Sequence, residues 1–260
     1  MRNLFAKLLS DSFFNSGISI TAFSISHIIY MLIICTGIVL ATHLIKGKGE
    51  ETREKLLRFL AYALTISYVL DFFTHDFVYG EMNIDKLPFH LCTVMCPVIA
   101  FTQFNKKFEK LIEPVTFLAI VGPLMYLTYP ASIGSGEPWC YRAVQTMFFH
   151  GVELAWGIIN ITSGKVKPEI KNCWKSAVGL GIITLWAKFG NLLFDMNWFF
   201  LEEDAFYIGL VSGGIIPKWS LMIFTPCGVF LVVLAIYGIY YAVKAIINKK
   251  NTASNKPITE

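Results

Sequence analysis

The 260-residue chain is short of charge: Asp, Glu, Lys and Arg make up 15% of it, against about 25% in an ordinary soluble domain. So few charges cannot cover the surface of a water-soluble protein of 29.3 kDa, which excludes a typical cytosolic enzyme. A disordered chain is excluded too, since disorder goes with few aromatics and this sequence holds 22 Phe. Its six cysteines give no disulfide framework. Cys35, Cys92, Cys96 and Cys227 fall within apolar stretches, Cys173 at a border, and only Cys140 in a loop. Also missing are charge runs, a basic patch interleaved with aromatics for nucleic acid, internal repeats, a separate soluble domain and low-complexity linkers. What is present is apolar: 55% hydrophobic residues and a mean hydropathy of +0.57. That composition is that of a polytopic membrane protein.

A helix needs about 20 largely apolar residues to cross the hydrocarbon. Seven stretches qualify: Ile18–Ile45, Leu56–Tyr79, Pro88–Phe104, Leu111–Tyr129, Ala143–Thr162, Trp174–Phe194 and Pro217–Val243. The predicted fold is therefore all-α, a single seven-helix transmembrane bundle over residues 1–250 with a short polar tail at 251–260. The first stretch is too long for the apolar core of a signal peptide and lacks a small-residue cleavage site, so it counts as a span. Pro88 suits the first turn of the third span; Pro114, Gly122 and Pro123 predict a kink in the fourth. If the spans alternate with the C-terminus in the cytoplasm, the cytoplasmic segments hold fifteen Lys and Arg and the outer segments five. That bias predicts an outside N-terminus and places the chain in a cell membrane as a multi-pass protein. The net charge of +4 thus reports topology rather than nucleic-acid binding.

Ionisable groups inside spans are costly and face the bundle interior. Here they gather toward the outer ends: His27 in the first span; Asp71, His75 and Asp76 in the second; His90 and Cys92 in the third; His150 and Glu153 in the fifth; Lys188, Asn191 and Asp195 in the sixth. The inner halves read as almost empty of comparable groups. Thr184, Lys188, Asn191 and Asp195 make one helical stripe; Asp71 with His75, and His150 with Glu153, are spaced to hydrogen-bond on one face. Together they predict a polar cavity open to the outer leaflet. Set against this, Asp71–His75 reads equally as glue between helices. Lys188 then neutralises a carboxylate, His27 is a packing residue, His43 lies at the inner interface and Cys96 fills space.

Cys92 stands apart because, with Pro88 opening its helix, it sits about a turn inside the N-terminus. There the positive end of the macrodipole and unpaired N–H groups favour a thiolate and can hold an oxyanion. His150, at a similar depth, is the candidate base; His90 is the rival, two residues from Cys92 and on another face. A metal held by Cys92, Cys96 and a histidine is the lesser reading, since no second ligand pair lies at matching depth.

The stretch LPFHLC at Leu87–Cys92 resembles the signature of the YwaF-like integral membrane family. Further features are similar: Glu113 with Gly122-Pro123, FFHG at Phe148–Gly151, Asn191, Asn197-Trp198, and Pro217 with Trp219. The human relative in that family is regarded as a cysteine-dependent acyltransferase that remodels ether phospholipids, and the resemblance to bacterial members implies a bacterial plasma membrane for this chain. The resemblance implies Cys92 as nucleophile and His150 as its partner. Where many relatives carry aromatic and basic residues after the sixth span, this chain has Glu202, Glu203 and Asp204. The family in turn resembles seven-helix hydrolases of fatty-acid esters that use a threonine and a histidine.

The expected activity is lipid acyl transfer or acyl-ester hydrolysis. Cys92 and His150 are catalytic; Asn191, Glu153 and His90 support, with Glu153 orienting His150 and Asn191 or the third span's N–H groups holding the oxyanion. Lys188, Arg142, Asp71, His75 and Trp198 bind substrate. The partners are a phospholipid donor and a lysolipid acceptor or water, and neither a metal nor an organic cofactor is needed. The alternative is a small-solute transporter or channel lined by the same stripes, opposed by the missing repeat and by polar groups that stop halfway. A zinc hydrolase would want a histidine in the seventh span, which offers Thr225 and Cys227 instead.

Overall fold

Ser24 stands in extended backbone before Ile25, and its hydroxyl accepts the N–H of His27 at 3.3 Å, which sets where the first apolar run turns helical. At the far end of the second run, Gly80 takes the left-handed conformation that closes a helix without a Cβ penalty. Between and beyond these signals, the computed structural model describes residues 7–10, 20–80, 82–129, 137–203 and 209–254. Among them all regular structure is helical. Seven long helices follow one another: α1 (Ile25–Ile45), α2 (Glu50–Tyr79), α3 (Leu91–Phe104), α4 (Ile112–Thr128), α5 (Tyr141–Thr162), α6 (Cys173–Phe194) and α7 (Leu221–Ser254). Short 3-10 turns lie in the connections.

Five of these are long and apolar enough to cross a membrane: α1, α2, α4, α6 and α7, the last three counted with the turns that lead into them. The two that fall short do so for different reasons. α3 has 14 residues, about 21 Å of helix. α5 has the length but carries Arg142, Gln145, His150, Glu153 and Asn160. It tolerates them because its neighbours enclose it, with 14 of its 22 residues buried. α4 is still more central, with 11 of 17 buried, whereas α1 buries only 4 of 21. Ile182, Leu185, Phe189 and Leu192 on α6, and Phe59, Ile66 and Phe73 on α2, point outward as an apolar coat.

Several expected boundaries move. Pro88 precedes α3 rather than opening it; His90 is the N-cap. Pro114 lies in the first turn of α4, where its missing N–H leaves no gap, and the helix continues unbroken through Pro123. α7 runs on to Ser254, past the start of the expected tail. Ile18, Arg2 and Asp204 lie outside the described residues, as do 255–260.

The end of the bundle where α2, α4 and α6 finish is called the upper end below. The connection from α2 to α3 does not stay there. Tyr68, 11 residues before the end of α2 and so about 16 Å down, donates its hydroxyl to Lys86 O at 2.7 Å. Asp71, about 12 Å down, pairs with Lys86 Nζ at 2.7 Å. From α6, Trp186 Nε1 donates to Pro88 O at 2.7 Å. The connection therefore folds down into the bundle, and α3 is short because its N-terminus begins inside.

Polar groups also occupy the lower end, contrary to the nearly empty inner halves expected. Glu54 accepts Gln103 Nε2 at 2.6 Å, and Gln103 Oε1 accepts Trp156 Nε1 at 2.9 Å. Glu54 further pairs with Lys165 and Arg58. Glu113 accepts Tyr237 OH at 3.0 Å, Glu169 N at 2.8 Å and Asn172 Nδ2 at 2.7 Å, tying α4 to α6 and α7. The sequence pattern hid these groups because each looks like an ordinary helix-end residue until its partner is known.

Candidate functional site

Phe89 and His90 fix the head of α3. The Phe89 ring lies against Gly190, where an added Cβ would meet it at 2.5 Å, and packs 4.9 Å from Trp186 and 4.5 Å from Trp198. His90 N donates to Thr93 Oγ1 at 3.2 Å, half of a capping box. The His90 ring accepts the Phe199 N–H at Nδ1, 3.3 Å away, so its proton is on Nε2, 3.8 Å from Asp85 Oδ1. A ring whose lone pair is already engaged is a poor rival base for Cys92.

Cys92 is the second residue of α3, three positions closer to the free N–H groups than a start at Pro88 would allow. It is partly buried and packs against the core of the bundle. α4 and α5 pass beside it, running in opposite directions. Near the top, Tyr126 stacks on His150 with ring centroids 3.8 Å apart and planes 7° from parallel. Lower down, a Cβ added at Gly157 would meet Ile120 Cγ1 at 2.5 Å and Thr116 O at 3.2 Å. Between those two contacts Glu153 falls level with Gly122. A Cβ added at Gly122 would meet Cys92 Sγ at 2.9 Å. Cys92, Glu153 and, one turn higher, His150 thus belong to one junction of α3, α4 and α5.

His150 is buried, and its Nδ1 lies 2.8 Å from Thr146 O. A carbonyl only accepts, so Nδ1 carries the proton and Nε2 the lone pair. That bond also corrects an expectation. Glu153 does not orient His150: both its carboxyl oxygens are buried without a hydrogen-bond partner, and its side chain is 0% exposed. It lies within electrostatic reach of Cys92 and of Cys96.

Asn191 is not an oxyanion donor waiting for substrate. Its Oδ1 accepts Trp198 N at 2.7 Å and its Nδ2 donates to Trp198 O at 3.0 Å, clamping the turn after α6. Trp198 is not a substrate surface either, being 0% exposed, with Nε1 donating to Asp85 O at 3.2 Å. The turn it closes is strained, since Phe199 and Phe200 have φ of 57° and 53°. Asn197 bridges its far side by accepting Glu202 N and Glu203 N. Lys188 bonds Glu202 at 2.6 Å, with Lys218 on the other oxygen, so two ammonium groups share one carboxylate. Asp195 caps α6 in an exposed position, so the expected stripe ends at Asn191.

Asp71 bonds Lys86 rather than joining His75 as the spacing suggested. His75 instead packs on Tyr79, ring centroids 4.6 Å apart. These residues share a narrow cleft of about 20 Å³ with Thr74, Tyr141 and Arg142. The single wet cavity expected from the sequence is thus divided: Asp71, His75 and Arg142 line one cleft, while Lys188 and Asn191 belong to the closed turn on α6. His27 Nε2 lies 2.7 Å from Leu127 O and serves helix packing. Lys86, which reading the spans alone passed over, ties the lead into α3 to Asp71; its place just before LPFHLC was the available signal. Among the described residues no group of three or more His, Cys, Asp and Glu is arranged to hold a metal ion.

No curated protein and no solved structure matches the chain. The sequence model of the TMEM164 family matches residues 22–240, which takes in every helix that builds the junction around Cys92, and the chain belongs to the TMEM164 family.

Proposed function

We propose that this protein is a membrane-embedded lipid acyltransferase or acyl-ester hydrolase working through a thioester on Cys92. All seven helices cross the membrane, α3 with the help of its inward-folded lead, and the upper end faces outward as the Lys and Arg bias predicts. Family membership supports acyl chemistry on lipids, and the apolar coat suits a chain that meets its substrate in the bilayer. The observation that carries the reading is the position of Cys92: second residue of a helix whose N-terminus begins inside the bundle, one turn below a histidine whose tautomer leaves a lone pair on Nε2.

The thiol proton passes to His150 Nε2 as Sγ bonds the ester carbonyl carbon, and the carbonyl π pair moves onto oxygen. The oxyanion is held by N–H groups of the first turn of α3. When the C=O re-forms, the C–O bond to the glycerol breaks and the leaving oxygen takes the proton from His150, leaving a thioester and a lysolipid. A lysolipid hydroxyl or water then gives its proton to His150 and attacks the thioester; the C–S bond breaks and the proton returns to sulfur. Tyr126 stacked on His150, and the Thr146 carbonyl on Nδ1, keep the ring in register through both halves.

The test uses vesicles of phospholipid with a labelled acyl chain, with and without lysolipid acceptor. Cys92→Ala is expected to abolish turnover, and His150→Ala to lower it by about 10²–10⁴-fold, the usual contribution of a general base. Undiminished turnover by folded Cys92→Ala overturns the assignment. Solute flux that survives Cys92→Ala would instead favour a conduit.

A further inference from the structure

Thioester chemistry at Cys92 makes a negative charge twice, once on sulfur and once on the carbonyl oxygen, and needs donors near both. Asn191 is spent on Trp198, and Lys188 on Glu202. The polar side chain left at the level of Cys92 is Glu153, fully buried, with no partner on either oxygen. At that depth a carboxyl group without a donor or a cation beside it is uncharged. Its ionised form would also be wrong for the site, since a second anion beside the sulfur opposes both the thiolate and the oxyanion. The neutral acid, by contrast, has an O–H to give.

We propose that Glu153 is a catalytic hydrogen-bond donor, a carboxylic acid kept protonated by its surroundings whose O–H stabilises the oxyanion of the acyl group on Cys92. Its own proton stays in place throughout, while His150 carries the proton that moves. Apolar surroundings that keep a carboxyl neutral for this purpose are a known way to build an oxyanion site. The geometry provides them: Glu153 sits on the α5 face that crosses α4, bracketed by the stacking of Tyr126 on His150 above and the close approach of Gly157 to Ile120 below. Cys92 enters at the same level against Gly122. This inference rests on the acyl-transfer reading and adds one donor to it.

Two variants separate it from a structural role. Glu153→Met removes the O–H while filling the space, and relieves the protein of a buried unpaired polar group. It should melt no lower than the wild type, yet turn over labelled phospholipid about 10²–10³-fold more slowly, the effect of losing one oxyanion donor. Glu153→Gln keeps a donor but cannot titrate, and should recover most of that loss, to within about tenfold of wild type. Infrared spectra of the wild type at neutral pH should show a carboxylic-acid C=O band that Glu153→Gln removes.

Wild-type turnover in Glu153→Met overturns the inference, as does a folded Glu153→Gln as slow as Glu153→Met, which would mean that the group works by titrating. Absence of the infrared band overturns it independently of any lipid. Failure of the acyl-transfer reading is a separate result, read from Cys92→Ala in the same vesicles.

Discussion

The two ends of the bundle treat their buried polar groups differently. At the lower end Glu54, Gln103 and Trp156 form a closed chain of hydrogen bonds, and Glu113 is held by three donors, two from the connection before α6 and one from α7. Higher up, the Glu153 carboxyl has no partner at all, and Cys92 is partly buried at the head of a helix. Other unpartnered atoms exist: the hydroxyls of Thr116 and Ser176, Asn160 Oδ1 and Glu203 Oε1. Each of those residues leaves one atom unmatched, while Glu153 leaves two on a group that can ionise. An unmatched buried polar group costs about 1–3 kcal/mol, so a fold has reason to match it. The contrast between Glu113, matched on both oxygens, and Glu153, matched on neither, separates a carboxyl that ties helices together from one that no helix uses.

Gly122→Ala tests the unsatisfied region most severely. The new Cβ would lie 2.9 Å from Cys92 Sγ and 3.3 Å from two Leu91 side-chain carbons, so the thiol must swing away. A displacement of about 1 Å at a reacting atom can cost about 10²-fold in rate, and overpacking costs about 1–3 kcal/mol. Turnover of labelled lipid should therefore collapse by about two orders of magnitude, with a melting temperature only modestly lowered. Unchanged turnover would mean that the position of Cys92 is not critical.

Glu113→Leu is the mirror case. It strands Tyr237 OH, Asn172 Nδ2 and the Glu169 N–H, with a cost of about 1–3 kcal/mol for each group that water cannot reach. The loss is expected in thermal stability, while turnover per folded molecule stays near wild type. A specific loss of turnover with full stability would move chemistry to the lower end and dissolve the contrast.

How far the sequence revealed all this depends on which partner each residue needed. The apolar runs were readable because lipid exposure requires length and composition alone, and each expected span overlaps one of the seven helices. Cys92 was readable from its place after a proline and ahead of an apolar run. What escaped notice depended on contacts distant in the chain. Tyr68 and Trp186 look like membrane-facing aromatics, yet they hold the inward fold that carries α3 into the bundle. Asn191 looked available until Trp198 was found to use both ends of its amide. His150 and Glu153 had the spacing to bond, but spacing does not choose a rotamer, and His150 turned back to Thr146 instead.

The acidic turn after α6 gives the smallest expected effect and the most exposed test of satisfied charge. Burial alone would raise the Glu202 carboxyl, but its bonds to Lys188 and Lys218 outweigh that and hold it below the usual carboxylate range. A carboxyl lowered on folding adds stability that is present above its unfolded value, about 4.3, and fades as the pH falls through the folded one. Lys188 is 30% and Lys218 56% exposed, so the contribution is that of a solvent-screened pair, about 1 kcal/mol or less. The stability gap between wild type and Glu202→Gln should thus be constant from about pH 8 down to about pH 6, then narrow toward about pH 3. A gap that widened with acid would mean that Glu202 is more readily protonated in the folded protein than in the unfolded chain, and that its bonds to Lys188 and Lys218 do not outweigh its burial.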